Sequence, residues 1–239
     1  MTRIVPTAVA RRLPSLSRDR KVEILGVAGA GKSTLATLLD RDAGVEMATF
    51  IHARRPSHLV QIVRGIPRLL PILISGLTRS PRIDWREFKL LVYVTRWRLF
   101  LGRPASPGAV LLFDQGPLYA LVRLKAEGKP FTTYRAFGRW SEEMLGSWVS
   151  ELTTLVFLDA PDPVLWSRIN QRPQDHKAKG EEAKAGLRFI ARYRRTFEDV
   201  IRRVEELGGP QILRFDTSVA SATQIADKVK PLLEDQHGR

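Results

Sequence analysis

The run Gly26-Val27-Ala28-Gly29-Ala30-Gly31-Lys32-Ser33-Thr34 fills every required position of the pattern G-x-x-x-x-G-K-[ST]. Residues of these types at this spacing can hold a polyphosphate. Glycines let backbone N–H groups turn inward around a β-phosphate where a Cβ would collide, and a helix beginning near Lys32 adds the positive end of its dipole. Lys32 can bridge the β- and γ-phosphates, and the Ser33 hydroxyl can complete the coordination of Mg²⁺. The expected nucleotide contacts are therefore Gly26, Ala28, Gly29, Ala30, Gly31, Lys32, Ser33 and Thr34. The bland alternative, a glycine-rich turn with no ligand, is opposed by context: the apolar run Lys21–Val27 precedes the loop and helical residues follow it.

A carboxylate supplies the second piece of chemistry. Leu111-Leu112-Phe113-Asp114 is an apolar strand ending in an acid, and ligands of open α/β sheets bind beyond the carboxyl ends of strands. Asp114 is thus expected near Ser33, where it either holds Mg²⁺ through water or accepts a proton from an attacking hydroxyl. Asp159 closes a second such strand, Phe157-Leu158-Asp159. The Ala160-Pro161 turn after it makes capping of the next helix the favoured reading.

The elements needed to position these groups follow from periodicity. Lys21–Val27, Val45–Ile51, Ala109–Phe113, Thr153–Leu158 and Gln211–Phe215 read as strands, Ala109–Phe113 as a continuous apolar run of the kind buried on both faces. Helices are expected at Ser33–Leu39, Trp85–Leu101, Pro117–Lys125, Tyr134–Val149, Pro163–Gln171, Glu181–Leu207 and Ala222–Leu233. Strands alternating with helices imply an α/β protein with a parallel sheet covered on both faces. Residues 1–20 read as a leader and 21–239 as one domain.

Composition narrows the class. The chain has 239 residues, 44% of them hydrophobic, which is enough for a sizeable core and argues against disorder. It has no cysteine, so disulfides and thiolate metal sites are excluded, in keeping with the cytoplasm as the expected location. The window Leu59–Leu77 is the most apolar, but Arg64, Pro67, Arg68 and Pro71 break it and it is not a membrane span. A net charge of +14 attracts polyanions. The arginines are scattered, without a basic stripe interleaved with stacking aromatics, so nucleic acid is not the expected partner.

With these residues in place the chain resembles the P-loop nucleoside and nucleotide kinases, particularly the thymidylate kinase-like group. The glycine-rich loop, the LLFDQGP segment, Leu158-Asp159-Ala160-Pro161 followed by Arg168 and Arg172, and a long helix carrying Arg192-Tyr193 fall in that family's order. The resemblance implies a three-layer P-loop fold with a five-stranded parallel sheet of order 2-3-1-4-5. It also implies a helical acceptor-side insertion at about 52–108 and a lid at about 168–180 that closes over the γ-phosphate. On the same analogy Arg168 and Arg172, with help from Lys177 and Lys179, neutralise transition-state charge, and Asp216-Thr217-Ser218 lies near the nucleotide base. Lys32, Asp114, Arg168 and Arg172 are then the catalytic residues, Ser33 and Asp114 hold the metal, and the cofactors are ATP and Mg²⁺.

One departure bears on the acceptor. The family usually has an arginine directly after the third-strand carboxylate, whereas this chain has Gln115. Either Arg54, Arg55 or Arg96 replaces it, or the acceptor carries no phosphate. Arg54, Arg55, Arg64, Arg68, Arg96, Trp85, Tyr93 and Trp97 in the insertion suit an anionic or sugar-bearing small molecule, and equally suit a helical cover over the sheet. His52 and His58 form no metal pattern. The expected activity is transfer of the γ-phosphoryl group of Mg·ATP to a nucleoside, nucleotide or related acceptor. The alternatives are a nucleic-acid-associated NTPase and a membrane-surface kinase for an amphiphilic acceptor.

Overall fold

In the computed structural model the described residues are 20–41, 44–48, 66–75, 83–102, 106, 108–127, 130–172 and 182–234, with the side chains of 86 and 98–100 left aside. The leader, His52, Arg54, Arg55, His58, Arg64, Lys177, Lys179 and most of the expected lid lie outside them. Five strands form the sheet: β1 Arg20–Gly26, β2 Val45–Met47, β3 Val110–Asp114, β4 Thr154–Asp159 and β5 Gln211–Asp216. All pairs are parallel and the order is β2-β3-β1-β4-β5, as expected. Arg20, assigned to the leader by sequence, is the first residue of β1.

The helices are α1 Lys32–Asp40, α2 at residues 66–75, α3 Trp85–Leu101, α4 Pro117–Ala126, α5 Arg135–Val149, α6 Asp162–Gln171, α7 Ala183–Glu206 and α8 Ala222–Glu234. A 3-10 turn at Pro130–Thr133, which periodicity does not reveal, leads into α5. Helix α1 packs with α8, while α3, α4, α5 and α7 pack among themselves, so the sheet is flanked by helices in the expected manner. No described helix is long and apolar enough to cross a membrane.

Local chemistry explains several boundaries. Helix α3 starts at Trp85 because Asp84 and Glu87 form a capping box: the Glu87 amide donates to Asp84 Oδ1 at 2.7 Å and the Asp84 amide to Glu87 Oε2 at 3.0 Å. Helix α7 buries Ile190, Tyr193, Phe197, Val200, Ile201 and Val204 at helical spacing. At Gly186, near its start, a Cβ would overlap the Trp166 ring of α6, so a larger residue here would require that ring to move.

The most consequential buried group is Glu23, in the middle of β1 and fully buried. Helix α4 begins with Pro117, which has no N–H, and its Gly116 cap offers no side chain. Glu23 supplies the missing acceptors: the Leu118 amide donates to Oε2 at 3.2 Å and the Tyr119 amide to Oε1 at 2.9 Å. Burial pushes its pKa up to about 8, against the opposing pull of those two amides. Because the folded value lies above the ordinary 4.5, unfolding releases a proton between the two values. Stability should therefore fall as pH rises from about 4.5 toward 8, by on the order of a few kcal/mol, and Glu23→Gln should flatten that slope. Urea titrations across this range check it, and parallel pH profiles for the two proteins would count against the assignment.

Candidate phosphate-binding and catalytic site

The candidate site is built where β1, β3 and β4 end. Gly26 closes β1 beside Leu158 of β4, and a Cβ there would overlap the Leu158 carbonyl oxygen. The chain then turns through Val27–Gly31 and enters α1 with Gly31 as the cap residue, at φ +85°. A Cβ on Gly31 would meet nothing within 4 Å, so glycine is required there by backbone conformation, with open space on its outer side. Ala30 and Gly29 are buried, Ala28 is half-buried, and Ser33 and Thr34 are exposed at the start of α1. The loop thus presents its backbone and the first turn of α1 toward the space above the sheet.

Lys32 is 7% exposed. Its Nζ donates to the carbonyls of Gly26 at 2.8 Å and Val27 at 3.0 Å and lies 5.5 Å from the Tyr119 ring centroid. Burial lowers its pKa to about 8; Asp114 works against that shift and Arg172 adds to it. Asp114 is the last residue of β3, and its Oδ2 accepts from Ser33 Oγ at 2.9 Å. The other oxygen, Oδ1, is buried without a hydrogen-bond partner. Lys32, Ser33 and Asp114 are thereby gathered in one place, with Arg172 within electrostatic range of Lys32. Gln115, which follows, takes a left-handed conformation at φ 62°, a turn that swings the chain from β3 into Gly116 and α4.

The donor set fits a hard divalent cation. Mg²⁺ takes one or two protein oxygens and leaves its other positions to phosphate and water, and the Ser33 hydroxyl beside a carboxylate with an unused buried oxygen provides that number. Among the described residues no cluster of three His, Cys, Asp or Glu forms a larger metal site.

Two sequence readings change. Arg168 belongs to α6, and its guanidinium donates to Thr217 Oγ1 at 2.8 Å, to the Thr217 carbonyl at 2.9 Å and to the Gly29 carbonyl at 3.4 Å. It therefore joins the glycine-rich loop to the segment after β5, which brings Asp216-Thr217-Ser218 to the same end of the site. Asp159 does not cap α6, whose cap residue is Pro161 with no side-chain bond. Instead it accepts from Arg194 of α7, Nε to Oδ2 at 2.6 Å and Nη2 to Oδ1 at 3.1 Å. The same guanidinium donates to the Ala160 carbonyl at 2.6 Å and to Asp162. An arginine fork satisfies these groups better than a helix terminus because it engages three acceptors at once.

Arg194, Glu23 and Tyr119 were not singled out from sequence. Arg194 sits in the basic run Arg192–Arg195, where it reads as a solvated helix face. The acid inside the otherwise apolar strand Val22–Leu25 was the available signal for Glu23. A groove of about 360 Å³ over the carboxyl ends of β4 and β5, lined by Phe157, Arg194, Glu198, Arg214 and Asp216 among others, does not include Lys32, Ser33 or Asp114. Its two arginines are already paired, Arg194 with Asp159 and Arg214 Nη1 with both Glu198 oxygens at 2.9 Å.

No protein-family model matches the chain. No curated protein sequence matches it either. Solved structures do resemble it. A deoxyadenosine kinase from M. mycoides with bound dATP superposes with a TM-score of 0.52 at 16% identity, covering 89% of this chain and 98% of that one. A thymidylate kinase from Candida albicans gives 0.55 at 15% identity, over 91% and 92%. The YorR protein of Bacillus subtilis, solved with phosphorylated GDP, gives 0.51 at 15% identity, over 92% and 98%. The chain has the fold of the P-loop nucleoside and nucleotide kinases.

Removing the Arg194 fork leaves Asp159 and Asp162 facing each other without a cation. Arg194→Ala should lower stability by about 1–3 kcal/mol. A urea midpoint within error of wild type would show that the fork is dispensable.

Proposed function

We propose that the protein is a P-loop phosphotransferase that moves the γ-phosphoryl group of Mg·ATP to a hydroxyl or phosphate oxygen of a nucleoside, nucleotide or related small acceptor. The observation that carries this reading is the 2.9 Å bond between Ser33 of the glycine-rich loop and Asp114 at the end of β3, with Lys32 electrostatically coupled to the same carboxylate. The likeness in fold to nucleoside and nucleotide kinases supports it.

On this reading the amides of Gly29–Thr34 and the N-terminus of α1 bind the phosphate oxygens. Lys32 exchanges its two carbonyl partners for β- and γ-phosphate oxygens. Ser33 and Asp114 would hold Mg²⁺, which would offset the charge of the phosphates. The acceptor oxygen forms a bond to the γ-phosphorus as the bond to the β–γ bridging oxygen breaks; ADP leaves, and Asp114 receives the acceptor proton directly or through water. Arg168 braces the loop through Gly29, and Arg172, beside Lys32, meets the charge developing on the transferred group. We place the reaction in the cytoplasm, where ATP is supplied. The amphiphilic-acceptor variant of this reading has one observation in its favour: Leu70 and Ile74, one turn apart on α2, are 46% and 58% exposed. Co-sedimentation with anionic liposomes tests it, and protein that stays in the supernatant excludes it.

Lys32→Ala should abolish phosphoryl transfer while leaving the circular dichroism spectrum unchanged, and Asp114→Asn should lose at least about a hundredfold in kcat with nucleotide binding largely kept. An ADP-release screen over nucleosides, nucleotides, sugars and amphiphilic alcohols checks both. Turnover retained in Lys32→Ala would refute the role given to Lys32, and stimulation by RNA or DNA alone would replace the kinase reading with a nucleic-acid-associated NTPase.

Lys32 also makes binding pH-dependent. Its free value is about 8, and a polyphosphate partner raises it. Above pH 8 nucleotide binding should therefore take up a proton, and affinity should fall by up to about tenfold per pH unit. Calorimetry in buffers of different ionisation enthalpy measures the uptake, which should vanish in Lys32→Met.

A further inference from the structure

No step of the transfer described above uses Glu23, although it is the most deeply buried acid among the described residues. A carboxyl group is costly to bury without partners, and both of its oxygens are engaged by one helix end, through the amides of Leu118 and Tyr119. The same group stands against Gly116, where a Cβ would come within 2.7 Å of the Glu23 Cδ and 2.9 Å of its Oε1. Glycine is needed at that position because the Glu23 carboxyl fills the volume a side chain would take. Glu23 therefore grips the chain immediately beyond Asp114.

The turn between them is under strain. Gln115 holds φ 62°, a conformation that a residue other than glycine keeps only where its surroundings impose it. Its side chain is exposed, so the constraint comes from the chain on either side. Before the turn, Asp114 is held level with Ile24 by the pairing of β3 with β1. After the turn, α4 begins with Pro117 and has no side-chain cap of its own, which leaves Glu23 as the anchor. The aim of the Asp114 carboxylate depends on this backbone. Only Oδ2 is held, by Ser33 Oγ at 2.9 Å, while Oδ1 is buried with no hydrogen-bond partner.

Resting on the kinase reading, we propose that Glu23 is a positioning residue: by holding the first amides of α4 it fixes the Asp114–Gly116 turn and so aims the Asp114 carboxylate at the metal position beside Ser33. It touches neither nucleotide nor acceptor and acts through the backbone. Tyr119 extends its reach to the phosphate lysine, because the Tyr119 amide rests on Glu23 and the Tyr119 ring lies 5.5 Å from Lys32 Nζ. Glutamine cannot replace it fully, since its carbonyl accepts from one amide and its NH₂ group can accept from neither.

The test is calorimetric binding of ADP to the full chain in Mg²⁺ and in EDTA, a readout that needs no acceptor. Mg²⁺ should tighten ADP binding in the wild type. In Glu23→Gln the ratio of the two affinities should fall by about tenfold, the usual effect of losing a group that orients a metal-binding residue. The affinity in EDTA should change by less than about twofold, and kcat should fall with the KM for ATP nearly kept. Adding Gln115→Gly should recover much of the ratio, because glycine holds a left-handed turn without outside support. Gln115→Val alters an exposed side chain and disfavours the turn directly, so it should reproduce the loss even where Glu23→Gln melts too low to assay. Thermal melting establishes which variants fold. A wild-type ratio in folded Glu23→Gln overturns this inference and leaves the kinase reading intact. A loss that Gln115→Gly does not recover reduces Glu23 to a stabilising group and overturns the route through the turn. ADP affinity indifferent to Mg²⁺ in the wild type overturns the metal role of Asp114 and this inference with it. The expected ratios without phosphoryl transfer to any acceptor overturn the kinase reading alone.

Discussion

The candidate site depends on how closely β1 and β4 approach at their carboxyl ends. Gly26 pairs in register with Leu158, and the Leu158 carbonyl occupies the volume that a side chain at position 26 would need. Because nothing separates the two strands there, the loop leaving Gly26 stays close above the sheet and delivers Lys32 back over its own strand end. The register carries the rest. Ile24 lies level with Asp114, and Asp159 with Asp216, so all the carboxylates that meet the loop or its supports stand along one edge of the sheet. A slip of one residue in either pair would turn the side chains of the slipped strand to the other face.

Electrostatics at this edge is local, despite the net charge of +14. Strand β1 and its loop carry two ionisable groups that burial has weakened. Glu23 sits under the amides of α4 with a raised pKa, and Lys32 at the loop end has a lowered one. Helix α4 joins them: its first amides rest on Glu23, while the Tyr119 ring lies against Lys32. The position of that helix, and of the Asp114–Gly116 turn that feeds it, is therefore coupled to both groups. Away from the edge several arginines stand in exposed pairs, such as Arg203 with Glu142 and Arg202 with Asp199, which contribute little to stability individually.

The fold and the phosphate loop were legible because they rest on local rules. Apolar runs mark strands buried on both faces, and the limits of α3 and the start of α4 follow from a capping box and a proline at the first helical position. The spacing of Gly26, Gly31, Lys32 and Ser33 states its own geometry. What remained hidden depends on partners far apart in sequence. Asp159 looks like a helix cap until α7, 35 residues away, brings Arg194 to it. Arg168 looks like a free lid cation until the loop after β5 offers Thr217, 49 residues away. Glu23 has no partner near it in sequence, and α4, 95 residues later, supplies the amides it accepts from. Short polar contacts across such separations leave no periodic trace in a single sequence.

The joint between α6 and α7 constrains the chain that links them. The Trp166 ring fills the space beside Gly186, and the Arg194 fork fastens α7 to the start of α6, so both ends of the segment from Arg172 to Glu182 are anchored to one unit. The closure entropy of a tethered segment grows only with the logarithm of its length, about 0.6 kcal/mol per doubling. A change of length confined to the chain between these anchors would therefore cost little closure entropy. At Gly186, by contrast, a single methyl group would overlap the Trp166 ring and require that ring to move.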